Sequence, residues 1–400
     1  MKTIKQNIRG LNKTQYIELK RMCKHSNSLY NSTLYFIKCY YKETNSYIGY
    51  NKLYHEMKTN IHYKSIPAKI SQQILRLADK NYVSFFHLLK QKNNGRYADN
   101  ISEPKYKKSN SEFILILPQD QVSLKKGKLK ITKDLKLNYS YEIDGKIKQA
   151  IIKPNNYGYY SLYIVYEENK IDQNYNFDKN NILGIDLGIN NLVTCVSNVG
   201  RSFAMNGKPL KSYNKFYNKQ KSQIQSELKV CNDKHYSKKI SILNKNRNNY
   251  IDNYFNQIIS RIIKYSIDHN IGSIIIGYNE TWKKNCNIGK VNNQTFVQIP
   301  YFLFKRKLEN KCKEYGIDYI MVNESYTSKC SFLDNEEVKK QEKYLGRRIK
   351  RGLFKTSKGC LINADVNGAL NITRKVFPKA FADGIEGGVV HPVMLNIFNT

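Results

Sequence analysis

The stretch Ile182-Leu183-Gly184-Ile185-Asp186-Leu187-Gly188-Ile189-Asn190 decides the fold. Its apolar run has the length of one strand, and LVTCVSN (192–198) and RSFAM (201–205) follow within a few residues. That spacing predicts a meander of antiparallel neighbours. One carboxylate, Asp186, interrupts the run. A charge on an apolar strand is costly unless it meets a cation or a set of donors, so Asp186 is the first candidate functional residue. Gly184 and Gly188 leave space for a backbone or a phosphate to come close. Two chemistries use such a strand: metal-dependent phosphodiester cleavage, and the phosphate loop of sugar-kinase-like ATPases. The bland reading is an Asp capping a turn.

Downstream, the pattern predicts a long helix to about residue 270, a buried strand SIIIG (273–277), a helix over about 300–315 and a strand IDYIMV (317–322). A last helix contains ADVNGALNI (364–372). Alternating α and β steps after a meander predict a mixed sheet with helices on its faces. In the last helix, Asp365, Ala369 and Ile372 share a face, and Ala364, Gly368 and Ala369 permit close packing on a sheet. Beside Asp186, Asp365 becomes a candidate second metal ligand. Two-metal phosphodiester cleavage needs several carboxylates, and Mg²⁺ prefers hard oxygen ligands. Glu324 follows its strand directly and Glu280 lies three residues past Gly277. Glu324 is the preferred third carboxylate.

Upstream, residues 1–10 read as a short strand, and 14–41 and 67–90 as helices, on apolar spacings of three and four. Residues 113–168 turn to short β-branched and aromatic runs that suit a barrel, and 168–181 is a polar linker.

The 400 residues carry 67 Lys and Arg against 32 Asp and Glu, a net charge of +35. Such a field attracts polyanions, with nucleic acid first and an anionic membrane surface second. Residues 208–247 hold 11 cationic residues against Glu227 and Asp233, and residues 343–358 hold seven and no acid. Lys208, Lys211, Lys215, Lys219, Arg247, Arg347, Arg348 and Arg351 are the candidate phosphate contacts. Arg is scarce here, at 12 against 55 Lys, so the clustered arginines mean more than the lysines. No run of 18 apolar residues exists and the first residues lack the apolar core of a secretory signal, so a soluble cytoplasmic protein without a membrane span is expected. The eight Cys include no C-x-x-C pair.

The combination of GIDLGINNLVT, the NADVNGALNI helix and the YTSKCSFLD and GRRIKRGLF segments resembles the insertion-sequence OrfB/TnpB proteins, compact relatives of type V CRISPR effectors. The N-terminal PAKISQQILRLADKNYVSFFHLLK and PKYK extend the likeness over most of the chain. The resemblance implies a mixed α+β protein. An RNase H-like, RuvC-type nuclease domain would cover 181–378. An oligonucleotide-binding β-barrel, 1–13 and 113–180, would be interrupted by a helical recognition domain, 14–112, and 379–400 would form a tail. It implies a transposon-encoded, RNA-guided DNA endonuclease that takes a guide RNA from the element end, cuts double-stranded target DNA with Mg²⁺, and acts as one chain per RNA at the nucleoid.

On these positions Asp186 matches the first catalytic Asp and Asp365 the last. The middle carboxylate usually ends the strand where this chain has Gly277; Glu324, on the neighbouring strand, would reach across and complete the Mg²⁺ site. The family's zinc ribbon, about 328–360, keeps only Cys330 and Cys360 of four Cys, so zinc is not expected. The rival readings are a nuclease-dead RNA-guided repressor, motivated by Gly277, then a sugar-kinase-like ATPase, for which GIEGG (384–388) is the only further Gly-rich segment. A non-specific nucleic-acid packing protein comes last.

Overall fold

In the computed structural model the described residues are 1–96, 99–125, 127–155, 158–168, 175–233, 235–279, 298–381 and 387–395. They form two units, Met1–Ile171 and Asp172–Thr400.

The first unit combines helices and small sheets. Helix α1 (Lys13–Thr44) begins where the Asn12 side chain accepts from Gln15 N and the Gln15 side chain returns to Asn12 N, a capping box. Its buried stripe of Leu19, Met22, Cys23, Leu29, Tyr30, Leu34 and Ile37 shares a core with Ile70, Ile74, Leu75 and Ala78 of the fourth helix, α4 (Ala68–Asn93). Two short helices, α2 (Tyr50–Met57) and α3 (Ile61–Lys64), lie between them; they bury only Leu53, Met57 and Tyr63, too few to give a periodic signal. The strands expected to form one barrel are divided between two antiparallel sheets. One has the order β1-β7-β6-β2 and contains β1 (Lys2–Asn7), β2 (Leu115–Pro118), β6 (Gly145–Asn155) and β7 (Tyr159–Glu168). The other joins β3 (Ser123–Lys125), β4 (Lys128–Lys130) and β5 (Lys136–Asn138).

The second unit is built on a six-stranded sheet in the order β12-β11-β8-β9-β10-β16. Strands β8 (Asp178–Leu187), β9 (Asn191–Ser197) and β10 (Phe203–Asn206) are the expected antiparallel meander. Strands β11 (Ile271–Tyr278) and β12 (Asp318–Asn323) add in parallel on the β8 side. The segment read as a tail supplies β16 (Val393–Leu395), parallel to β10. The basic stretch after β10 is helix α5 (Lys208–Asn232), opened by Pro209 in its first turn, followed by α6 (Lys238–Asp268).

Alternation along β8 sorts its side chains. Leu183, Ile185 and Leu187 enter a core with Ile251, Phe255, Ile258 and Ile262 of α6 and with Phe304 and Leu308 of α7 (Tyr301–Tyr315). Ile182 points the other way, joining Ile275 and Ile372. Ile372 belongs to α8 (Ala364–Arg374), which covers that opposite face. Asp186 has the parity of Ile182, so it faces α8. Gly184 shares this face, and a methyl group there would collide with Thr373 Oγ1 of α8. Among the described residues no helix is long and apolar enough to cross a membrane.

Candidate active site

Three elements of the second unit each deliver one carboxylate to one pocket of about 480 Å³: Asp186 near the end of β8, Glu324 just past β12, and Asp365 in the first turn of α8. The start of α8 is fixed by Asn363, whose Oδ1 accepts from Asp365 N at 2.9 Å and Val366 N at 3.2 Å. Close packing brings that helix onto Asp186: a methyl group at Gly368 would lie 3.0 Å from Asp186 Oδ2.

Glu324 is placed by strand pairing. Parallel β11–β12 register sets Gly277 opposite Val322 and Tyr278 opposite Asn323, and Glu324 N donates to Tyr278 O at 3.1 Å. A methyl group at Gly277 would meet Ile372 Cδ1 at 2.7 Å and Glu324 Oε2 at 3.0 Å. The Glu324 side chain therefore occupies the space into which a side chain at 277 would project. Its Oε2 is buried and accepts no hydrogen bond. An uncompensated buried carboxylate oxygen is expensive, which marks it as a place for a cation or donor.

Burial governs the electrostatics, with crowding of like charge adding to it at Asp186. Burial, then the neighbouring Asp365 and Glu324 charges, hold the Asp186 carboxyl well above the usual range, with Arg348 and the Leu187 backbone partly opposing. Burial also raises Glu324, against Lys305 and Lys375. Asp365 is oriented at both oxygens, accepting from Asn191 Nδ2 at 2.9 Å and Arg348 Nη2 at 3.3 Å. Among the described residues no three His, Cys, Asp or Glu side chains are gathered closely enough to hold one metal ion between them. Mg²⁺ commonly takes only one or two carboxylates and fills its octahedron with waters and substrate phosphates. The hard-oxygen donor set and the orphaned Glu324 Oε2 suit it.

Of the cations singled out in the sequence, Lys208, Arg348 and Arg351 line the same pocket. Arg347 is exposed on β13 (Arg347–Lys350), and Lys215 and Lys219 are exposed on α5, with Lys211 half-buried there. Arg247 turns inward: Nε donates to Asn214 Oδ1 and Nη2 to Gln298 O, both at 2.7 Å, and the guanidinium lies over Tyr217. Glu280 and residues 384–386 of the Gly-rich segment lie outside the described residues. Sequence reasoning missed Asn191, Lys305 and Lys375. Asn191 carried a faint signal as the polar residue that opens the strand after the Asp186 strand. Lys305 and Lys375 carried none, because they meet Glu324 only through the fold; Lys375 Nζ ties down the Glu324 turn by donating to Asn323 O and Ser325 O at 2.8 Å.

Residues 163–283 match the OrfB/IS605 family model, described as a probable transposase, and residues 301–372 match a Cas12f1-like TNB domain. The chain is similar to a TnpB-like protein of Acidianus two-tailed virus, 24% identical over 372 residues, 81% of this chain and 78% of that one. These two matches and this relative support a TnpB/Cas12f-like family for the chain. The chain is also similar to the CRISPR-associated endodeoxyribonuclease Cas12f1 of Syntrophomonas palmitatica, 26% identical over 164 residues, covering 38% of this chain and 32% of the other. In fold, the chain is similar to Cas12f1 in a complex with sgRNA and target DNA, with a TM-score of 0.57 at 18% identity over 91% of this chain and 83% of that one. It also resembles the mini-RNA-guided endonuclease CRISPR-Cas_phi3, with a TM-score of 0.50 at 11% identity over 93% and 92%.

Proposed function

We propose that the chain is a transposon-encoded, RNA-guided DNA endonuclease of RuvC type, with Asp186, Glu324 and Asp365 as its metal ligands. The observation that carries this reading is the unpartnered Glu324 Oε2, buried beside two further carboxylates in a pocket rimmed by Lys208, Arg348 and Arg351. Three like charges held together cost stability and are retained where a cation repays them. Residues 181–378 would be the nuclease. The two sheets of the first unit would grip guide RNA, and residues 14–112 the paired target, by shape and charge. Base pairing to the guide RNA would choose the double-stranded target, one chain serving one RNA in the cytoplasm.

Mg²⁺, when bound, supplies an activated water and stabilises the leaving oxygen. Asp186 and Asp365 would bind it from the two sides of the β8–α8 contact. Glu324 would supply the third oxygen ligand from the strand next to β11. Asn191 orients Asp365 by its amide, and Arg348, Arg351 and Lys208 would hold the phosphodiester in the pocket.

Gly277 motivates the rival reading of a nuclease-dead binder, because it leaves no carboxylate at the end of its own strand. Glu324 filling the space in front of Gly277 supports the cutting reading instead. The test is target cleavage by the protein with its flanking RNA, in Mg²⁺ and in EDTA, for wild type and Asp186→Ala. The expected outcome is cutting that EDTA and the substitution both abolish, with RNA binding retained. Target binding without cutting in Mg²⁺ would refute the nuclease and leave the repressor.

A further inference from the structure

The segment between Glu324 and α8 carries Arg348 and Arg351 to the pocket on a three-stranded sheet of β13, β14 (Leu353–Lys355) and β15 (Leu361–Asn363). In a zinc ribbon two knuckles are tied by four ligands on one ion. Here the first knuckle offers Cys330 and then Leu333, and the second offers Ser357 and then Cys360, with no His from 328 to 360. The two thiols differ in setting: Cys330 is buried with its Sγ 3.6 Å from Lys339 O, and Cys360 is exposed.

Carboxylates span the same gap. Asp334, next to Leu333, accepts from Ser357 N at 2.8 Å through Oδ2 and from Ser357 Oγ at 2.6 Å through Oδ1, joining one knuckle to the other. Glu336 is buried at 6% exposure, and its two oxygens accept from Ser331 N at 2.7 Å and Leu345 N at 3.0 Å. Leu345 lies three residues before Arg348. Helix α8, which carries Asp365, holds the same turn. Arg374 Nη1 donates to Asn335 Oδ1 at 3.0 Å and Nη2 to Glu336 O, while Asn367 and Asn371 donate to Cys330 O at 2.9 and 2.8 Å.

We infer that this ribbon is a metal-free module, closed by the Asp334 and Glu336 carboxylates in place of zinc, and that Glu336 is a positioning residue that sets Arg348 over the carboxylate pocket. A buried carboxylate accepting two backbone N–H groups makes charge-assisted bonds that neither a hydroxyl nor an amide can duplicate. A single amide oxygen at 336 would turn an NH₂ group toward one of the two donors.

The test has three arms on the full-length protein purified without chelator. Metal analysis should find well below one zinc per chain, and a zinc chelator should leave Tm unchanged, as should Cys360→Ser. Glu336→Gln should lower Tm by about 2–4 °C. In single-turnover cleavage, an arm that rests on the nuclease reading, Glu336→Gln should slow cutting as Arg348→Ala does, with RNA binding unchanged and the double variant no slower than the slower single one. Near-stoichiometric zinc whose removal melts the protein would overturn the metal-free ribbon, and additive losses in the double variant would overturn the positioning role. If the wild type cuts nothing, the nuclease reading fails while zinc content and Tm still decide the closure.

Discussion

Moving the middle carboxylate back to the strand is the sharpest test of the site. In Gly277→Glu the new Cβ would lie 2.7 Å from Ile372 Cδ1 and 3.0 Å from Glu324 Oε2. Ordinary carbon contacts lie at about 3.5–4.0 Å, so the Ile372 methyl must shift and the Glu324 side chain must also give way. Overpacking of this kind costs about 1–3 kcal/mol. A second anion about 4 Å from the first adds up to about 4 kcal/mol at an effective dielectric of 20. The single variant should therefore melt well below wild type in EDTA and cut poorly. Glu324→Ala removes the proposed ligand and leaves the fold intact. Loss of a residue that merely orients a ligand costs about 10–100-fold, so losing the ligand itself should cost at least about 100-fold, or 2.7 kcal/mol of barrier. Gly277→Glu/Glu324→Ala exchanges the two and should recover cutting to within about tenfold of wild type. The assays are single-turnover cleavage in saturating Mg²⁺ and thermal unfolding in EDTA. A stable, fully active Gly277→Glu, or a double variant no faster than Glu324→Ala, would refute the shared-space argument.

Two further outcomes are expected. Asp186→Asn should stabilise the metal-free protein at pH 7 by about 0.5–2 kcal/mol, the usual gain on relieving a strained functional group. The sign follows from the raised Asp186 carboxyl: the fold holds its proton more tightly than the unfolded chain, so wild-type stability falls as pH rises from about 3.9 toward the folded value. The gain should vanish below pH 4, and a wild type more stable than the variant in EDTA at pH 7 would contradict this. Lys208→Ala/Arg351→Ala should weaken DNA binding by the RNA-loaded protein uniformly across sequences and reduce the salt slope of log K by about two, read by titration at several salt concentrations; an unchanged slope removes both from the phosphate path.

Asp186 was legible in the sequence because its cost is local: a charge among Ile and Leu on one strand is conspicuous wherever that strand packs. Asp365 was legible through helical spacing, with small residues on its face announcing close packing. The apolar runs likewise set the meander and the α/β alternation, because hydrophobic period follows from backbone geometry alone. Other features required the tertiary structure. Glu324 reaches the pocket because β12 pairs in parallel with β11 and Gly277 leaves a space that a neighbour's side chain enters. Arg247 read as a phosphate contact and instead holds Asn214 and Gln298 within its own unit. Lys305, Lys375 and the Glu336 bonds join residues far apart in the chain or hidden in an irregular turn. Charge and period are properties of a segment, whereas the partner of a charge depends on which segments the fold brings within about 3 Å of each other.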